Sequence, residues 1–492
     1  MRWVAVVCAV ASCVPPETPA VAPTPPPAPP PRPAPPLLVT APQGKLQPFV
    51  AVDAPVVVLQ HVHVIDGTGT PGRDDQTIVI ENGRISAIGT SLPTPADAKI
   101  LDMTGHTAVP GIVDMHGHLY YGQLTTPPAE SIEFAEQPVS FPRLYLAAGV
   151  TTIRTAGSLE PYADLAVKRN VDAGIVPGPH FALTAPYLSG PGEPLMQMVQ
   201  LATPEDTKRF VDFWLDAGFT SLKAYMHLPR ASLRAAIDEA HARGVKITGH
   251  LCAVTYTEAA ELGIDNLEHG LAADTDLVDG KKPDDCPQDM SALAKADIDG
   301  PKVRAIIDSL VKHHVAVTST LAIFEPFMRA ATVPLDERAM AVLNPTTRDH
   351  VVKMHAMIGM KPPPVDALAK EFAFERAFVK AGGTLLAGSD PTGYGAAVAG
   401  FADQRELELL VEAGFTAPQA IQIASANGAA FLGVADQIGT LAPGKRADLV
   451  IVKGNPEQQI KDVEQVEVVF KDGVGYDPQK LIGSVTGTVG LH

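Results

Sequence analysis

The sequence predicts an α/β protein in which a (β/α)8 TIM barrel carries a small composite β-sandwich formed by both termini. Three observations lead there. Residues 111–432 alternate apolar strand runs with helical periods. Short alternating runs punctuated by turn residues flank that segment on both sides. Imidazole, carboxylate and amine side chains gather at the carboxyl ends of the runs, where barrels of this kind build their active sites.

Taken in order, residues 1–13, MRWVAVVCAVASC, give one arginine, a short apolar stretch and Val10-Ala11-Ser12-Cys13, which resembles a bacterial lipobox. The expectation is a signal peptide cut before Cys13, export to the periplasm or cell envelope, and a lipid anchor to the membrane through Cys13. Residues 14–50 form a proline-rich linker that begins VPPETPAVAPTPPPAPPPRPAPP, extended and semi-rigid enough to hold a domain off a surface. Residues 51–110 read as strand, turn, strand through VVVLQHVHVIDG, QTIVIENGRISAIG and HTAVPG, with Asp66-Gly67, Asn82-Gly83 and Pro110-Gly111 as punctuation. These runs are too few to close a domain. Residues 433–480 supply matching ones in ADLVIVKGNP and VEQVEVVFKDG, so the two ends are expected to form one β unit.

Within residues 111–432 the strand runs are GIVDMHGH, GVTTIRTAG, HFALTAP, SLKAYM, VKITGH, NLEHG, VAVTSTL and GTLLAGSDP. Helical periods fill the gaps, as in PEDTKRFVDFWLDAG, RASLRAAIDEAHARG, PKVRAIIDSLVKHH and ALAKEFAFERAFVKAG, several of them ending in glycine.

Composition narrows the function classes. The 492 residues are 46% hydrophobic and 19% charged, with a net charge of −17, which suits a soluble body and disfavours nucleic acid as a partner. No apolar run beyond the leader reaches the roughly 18 residues that span a bilayer. Of four cysteines, Cys8 and Cys13 lie in the leader, leaving Cys252 and Cys286 as the candidates for a disulfide.

Reading the strand ends in order gives His116 and His118, Lys223, His250, His269 and Asp390. Side chains two apart on a strand share a face, so His116 and His118 can reach one ion, though the spacing alone does not require it. The pair His61 and His63 has the same spacing on an outer strand and reads as structural. Asp390 precedes a proline and could serve a turn. Lys223 is harder to explain without chemistry, because an ammonium on an interior strand is costly unless partnered. It is the convergence of these side chains on one rim that argues for a site.

The set resembles the amidohydrolase superfamily, through PGIVDMHGH, SLKAYM, KITGH, NLEHG and LLAGSDP, and through the carboxyl-terminal IQIASANGAAFLGVADQIGTLAPGKRADLVIVKGNP. The resemblance covers nearly all of the ordered chain and is closest to the branch of imidazolonepropionase-like and prolidase-like proteins. It implies a divalent metal cofactor, two zinc ions with manganese, cobalt or iron as alternatives. His116, His118 and Asp390 would hold one ion and His250 and His269 the other, with a carboxylated Lys223 and a hydroxide bridging them. It further implies hydrolysis of a carbon–nitrogen bond in an amide, peptide-like or cyclic amide small molecule, with metal-bound hydroxide attacking and Asp390 as general base and then acid. A mononuclear imidazolonepropionase-like enzyme, a lactone or ester hydrolase, and a non-catalytic surface binding protein are the alternatives. Association into a homo-oligomer is expected from relatives.

Departures from subfamily patterns refine this. Leu251, Cys252 and Ala253 follow His250 where deaminases of the family carry a glutamate three residues on, so nucleobase deamination is not expected. Ala224-Tyr225-Met226-His227 replaces the glycine-rich run that often follows the lysine in prolidase-like relatives. Tyr225 and Arg154 are the candidates for binding a substrate carbonyl or carboxylate, with wall packing as the alternative for Tyr225 and a salt bridge within the barrel rim as the favoured alternative for Arg154. The insertion around YLSGPGEPLMQM and the stretch from Ala322 to Pro364 are candidates for a lid, with Phe324, Phe327 and Met328 as an apolar wall. His180 begins its strand, at the end of a barrel associated with stability, and is left out of the site.

Overall fold

The computed structural model describes residues 45–124, 132–287, 291–329, 333–360 and 365–491. The expected leader, Cys13 and most of the proline-rich linker lie outside the described residues. Eight parallel strands organise the centre of the molecule: β1 (Ile112–Gly117), β2 (Val150–Thr155), β3 (His180–Ala182), β4 (Ser221–Ala224), β5 (Lys246–Gly249), β6 (Asn266–Glu268), β7 (Ala316–Ser319) and β8 (Leu385–Ala387). They pair in the orders β3-β2-β1 and β4-β5-β6-β7-β8, so the protein is α/β with parallel sheets. Beyond β3, isolated parallel bridges link Thr184 to Ser221 and Leu188 to Ala224. Beyond β8, the Asp390 N–H donates to the His116 carbonyl at 2.8 Å. Gly388 permits that approach, since a Cβ there would lie 2.3 Å from the Cβ of His116.

The helices between strands form for the reasons their sequences suggest. Pro204–Asp216 starts at Thr203, whose hydroxyl accepts the Asp206 N–H, and is stopped by Gly218 at φ 108°. Pro301–Lys312 buries Val303, Ile306, Ile307 and Leu310, a stripe at helical spacing that joins the main apolar core. Each such side chain contributes roughly 1.5–3 kcal/mol of burial before entropy is counted.

The runs from the two chain ends join in one nine-stranded sheet. Leu449–Lys453 lies antiparallel to His106–Pro110, and Val56–Val64, Arg73–Glu81 and Arg84–Gly89 extend the sheet on one side while Val466–Lys471, Val474–Tyr476 and Val50–Val52 extend it on the other. Val57, Leu59, Ile78, Leu449, Ile451 and Phe470 form its apolar cluster. The Gly111 N–H donates to the Asp448 carbonyl at 3.0 Å as the chain leaves this sheet and enters β1. No helix among the described residues is long and apolar enough to cross a membrane.

Candidate metal centre

His116 lies in β1 and Lys223 in β4, while His118, His250 and His269 each stand one residue past a strand and Asp390 three residues past β8. All six line one cavity of about 330 Å³. Ligand atoms of His116, His118 and Asp390 lie within 4.8 Å of one another. Asp390 Oδ1 is 3.2 Å from His118 Nε2 and 3.7 Å from His116 Nε2. The His116 and His269 rings are 4.6 Å apart and the His250 and His269 rings 4.4 Å apart, centre to centre. Two members of the set, His269 at φ 73° and Asp390 at φ 43°, occupy the left-handed region that non-glycine residues enter at a cost.

The imidazoles are tethered from behind. His116 Nδ1 is 2.8 Å from Glu268 Oε2, His118 Nδ1 is 3.3 Å from the Gly157 carbonyl, and His269 Nδ1 is 2.7 Å from Thr320 Oγ1. In each case Nε2 is left for the cavity. Burial disfavours the charged ring, pushing His116 down to about 4 and His250 down to about 3, and it holds His269 well below its ordinary value. Burial raises the Asp390 carboxyl, but its neighbours, His116 first, outweigh it and hold the group below the usual carboxylate range. Neutral imidazoles with one free nitrogen beside an ionised carboxylate match the donor chemistry of a borderline divalent ion such as zinc.

Lys223 is almost wholly buried, and desolvation pushes it down to about 8 against the opposing charges of Glu268 and Asp390. Its partner is Glu268, whose Oε1 lies 3.9 Å from Nζ. Burial raises Glu268, yet Lys223, Arg154 and His116 together hold its carboxyl well below the usual range. Sequence reasoning missed this glutamate. The available signal was an acidic residue in the middle of NLEHG on an interior strand, where a carboxylate needs partners as much as Lys223 does.

Arg154 does not line the cavity. It lies beneath the site, donating to Glu268 Oε1 at 2.7 Å, to Asn266 Oδ1 at 2.8 Å and to the Met115 carbonyl. β2 is buried on both faces, and its strand-end arginine forms the salt bridge favoured for it, with Glu268, instead of lining the cavity. Tyr225 does line the cavity, its ring 5.2 Å from His250 and 4.9 Å from Tyr187. The Tyr187 and Tyr120 hydroxyls hydrogen-bond to each other, a pair that sequence reasoning did not single out. Leu195 and Met198 from the YLSGPGEPLMQM insertion and Phe324 and Phe327 from helix Leu321–Met328 complete the wall. Met328 faces the core instead, and residues 330–332 and 361–364 of the second stretch lie outside the described residues.

Other polar clusters stand apart. His61 meets Asp75 at 2.8 Å, and His63 bridges Asp74 and Glu457 on the outer sheet. His180 joins Asp448 and Asp472, but Lys471 Nζ is 3.8 Å from Asp472 and Arg446 bears on both carboxylates, making it an ion-pair cluster. A larger cavity of about 400 Å³ near Arg338, Arg405 and Glu464 has none of the imidazoles described above.

The profile of the amidohydrolase family matches residues 107–475. The dihydroorotase of Trichlorobacter lovleyi is 33% identical over 91 residues, 18% of this chain and 20% of that enzyme. The imidazolonepropionase of Mycolicibacterium smegmatis is 37% identical over 82 residues, 17% of this chain and 19% of that one. The chain's match therefore spans only about a fifth of either curated relative. Among solved structures, a Xaa-Pro dipeptidase with methionine bound in its active site is 20% identical, with a TM-score of 0.63 covering 86% of this chain and 100% of that one. That likeness is one of fold, and it implies a TIM barrel.

Proposed function

This chain belongs to the amidohydrolase family, and from that premise we propose that it is a metal-dependent hydrolase of a carbon–nitrogen bond in an amide, peptide-like or cyclic amide substrate. The observation that carries the reading is the convergence of six side chains, from five different strands or the loops after them, on the floor of one cavity. The closed barrel and the composite β-sandwich are part of the same reading, supported by the links beyond β3 and β8 and by the sheet shared between chain ends.

His116, His118 and Asp390 would hold one ion and His250 and His269 a second, with Lys223, carboxylated by carbon dioxide, between them. Divalent zinc, when bound in such a site, acidifies water and polarises a carbonyl oxygen. The protein's own part starts at Asp390, whose ionised carboxylate faces the cavity and takes a proton from the attacking water. The water oxygen bonds to the carbonyl carbon, the carbon–nitrogen bond breaks, and Asp390 returns the proton to the departing nitrogen, giving acid and amine. The Tyr225 hydroxyl, and whichever of the Tyr120 and Tyr187 hydroxyls does not donate to the other, all kept protonated by burial, are donors for a substrate oxygen.

The wall favours a neutral substrate with apolar groups beside the scissile bond. Lys223 is the sole lysine or arginine among the described residues lining the cavity, and Glu193 adds negative charge. A free carboxylate, as in a dipeptide, would lack the cationic partner that usually fixes it. Export, with a lipid anchor at Cys13, is proposed with this; the disulfide between Cys252 and Cys286, a bond of oxidising compartments, supports the export.

A second reading has its own observation. Lys223 already has an anionic partner in Glu268, which fits an uncarboxylated ammonium and a mononuclear enzyme. Metal per chain, measured by inductively coupled plasma mass spectrometry after loading with zinc and bicarbonate, separates the two. About two ions support the binuclear enzyme, about one the mononuclear, and none in a folded chain would sink the hydrolase reading. A panel of apolar amides and dipeptides then tests the substrate, since faster turnover of the dipeptides would overturn the preference for neutral groups.

A further inference from the structure

We propose that Glu268 is a positioning residue that fixes the tautomer and orientation of His116, and so sets how tightly the centre holds metal; this rests on the metal-centre reading above.

Glu268 and His269 are consecutive, and on a regular strand they would face opposite sides. Both reach the same centre because His269 leaves the extended conformation, at φ 73°. Glu268 enters from beneath, with no exposed surface, and His269 from the rim. The two oxygens of Glu268 have separate partners. Oε1 accepts from Arg154 Nη2 at 2.7 Å and from the Thr248 hydroxyl, which pins the carboxylate. Oε2 is left to His116, 2.8 Å from Nδ1.

An anionic carboxylate can only accept, so Nδ1 must carry the proton and Nε2 must carry the lone pair. Nε2 is the nitrogen facing Asp390 and the cavity. Without the carboxylate, the neutral ring gains the other tautomer, in which Nε2 bears hydrogen and cannot ligate. Carboxylates behind metal-bound histidines typically change affinity about 10–100-fold. Arg154, itself 1% exposed and also tied to Asn266 and the Met115 carbonyl, serves as the fixed anchor of the arrangement.

The plain alternative is that Glu268 merely neutralises Arg154. Zinc affinity by chelator competition, read alongside the thermal midpoint, tells the two apart. Glu268→Asp keeps the charge beside Arg154 but withdraws it from His116 by one methylene. It should keep most of the midpoint and bind zinc about 10-fold more weakly. The double variant Arg154→Met with Glu268→Met leaves Lys223 unpaired just as Glu268→Gln does but removes the arginine's unpaired charge, and should recover the part of the stability lost in Glu268→Gln that Arg154 accounts for, without recovering zinc affinity. Wild-type affinity in Glu268→Asp, or affinity returning with stability in the double variant, would overturn the proposal. His116→Asn is the control: if it too binds zinc like the wild type, the metal-centre reading fails, whereas loss there with none in the Glu268 variants fails the positioning role alone.

Discussion

Asp390 is held in a left-handed backbone conformation, φ 43°, that a strand end would ordinarily leave to glycine. Its amide donates to the His116 carbonyl, and Ser389 beside it donates from Oγ to Asp114 Oδ2 at 2.9 Å. Asp114 Oδ1 also accepts the His116 N–H at 2.8 Å, so one buried carboxylate locks both sides of the centre together. This strain is stored where the proposed proton transfer occurs. Asp390→Asn keeps the size of the side chain and loses its basicity, and kcat should fall about 10²–10⁴-fold even in protein that retains metal. Full turnover in a metal-loaded Asn variant would remove Asp390 from the mechanism. The ligand candidates were legible because histidines at strand ends stand out against apolar runs. Arg154 was legible as a residue needing an anion, but its partner Glu268 was not, because both lie on strands buried on both faces, where spacing does not say which polar side chain turns inward to meet which.

At the scale of elements, the loops after β5 and β6 illustrate the limits of periodicity. Cys252, two residues past His250, is joined to Cys286 in the segment after β6. Counting cysteines left that pair as the candidates, but only the folded chain brings them together. The disulfide closes a loop with a sequence separation of 34 residues, for which chain entropy predicts roughly 3–4 kcal/mol of stabilisation. The thermal midpoint should therefore drop on reduction, and Cys252→Ala with Cys286→Ala should reproduce the drop without reductant. An unchanged midpoint in both would mean that the loop is held by packing alone. Helix Leu321–Met328 makes a separate point: Phe324 and Phe327 turn to the cavity while Met328 turns to the core. Phe327→Ala should raise KM for amides carrying aromatic groups several-fold and leave small polar amides nearly unaffected, as measured by the ratio of kcat/KM values. An equal change for both classes would place Phe327 outside the binding wall.

Across the whole molecule, the parallel strands and the nine-stranded sheet meet at a polar seam. His180, at the start of β3, lies 3.1 Å from Asp472 in the turn between Val466–Lys471 and Val474–Tyr476, and 3.9 Å from Asp448. Strand runs at both chain ends were legible as alternation. Their union in one sheet was only inferable from shared turn chemistry, and the seam not at all, because it joins residues nearly 300 positions apart. Asp472 carries the acid-sensitive part of this seam. Burial raises its carboxyl, but the cationic side chains around it, His180 first and then Lys471 and Arg446, outweigh that and hold it below the usual carboxylate range. A carboxyl depressed in the folded state stabilises fully above its unfolded value of about 3.9, and that contribution fades as the pH falls toward the folded value. Asp472→Asn should thus lower the thermal midpoint at pH 7, and the gap from the wild type should narrow as the pH is taken below about 5. A gap that stays constant down to the acid limit of folding would assign the loss to packing in the turn, and the seam would then owe nothing to charge.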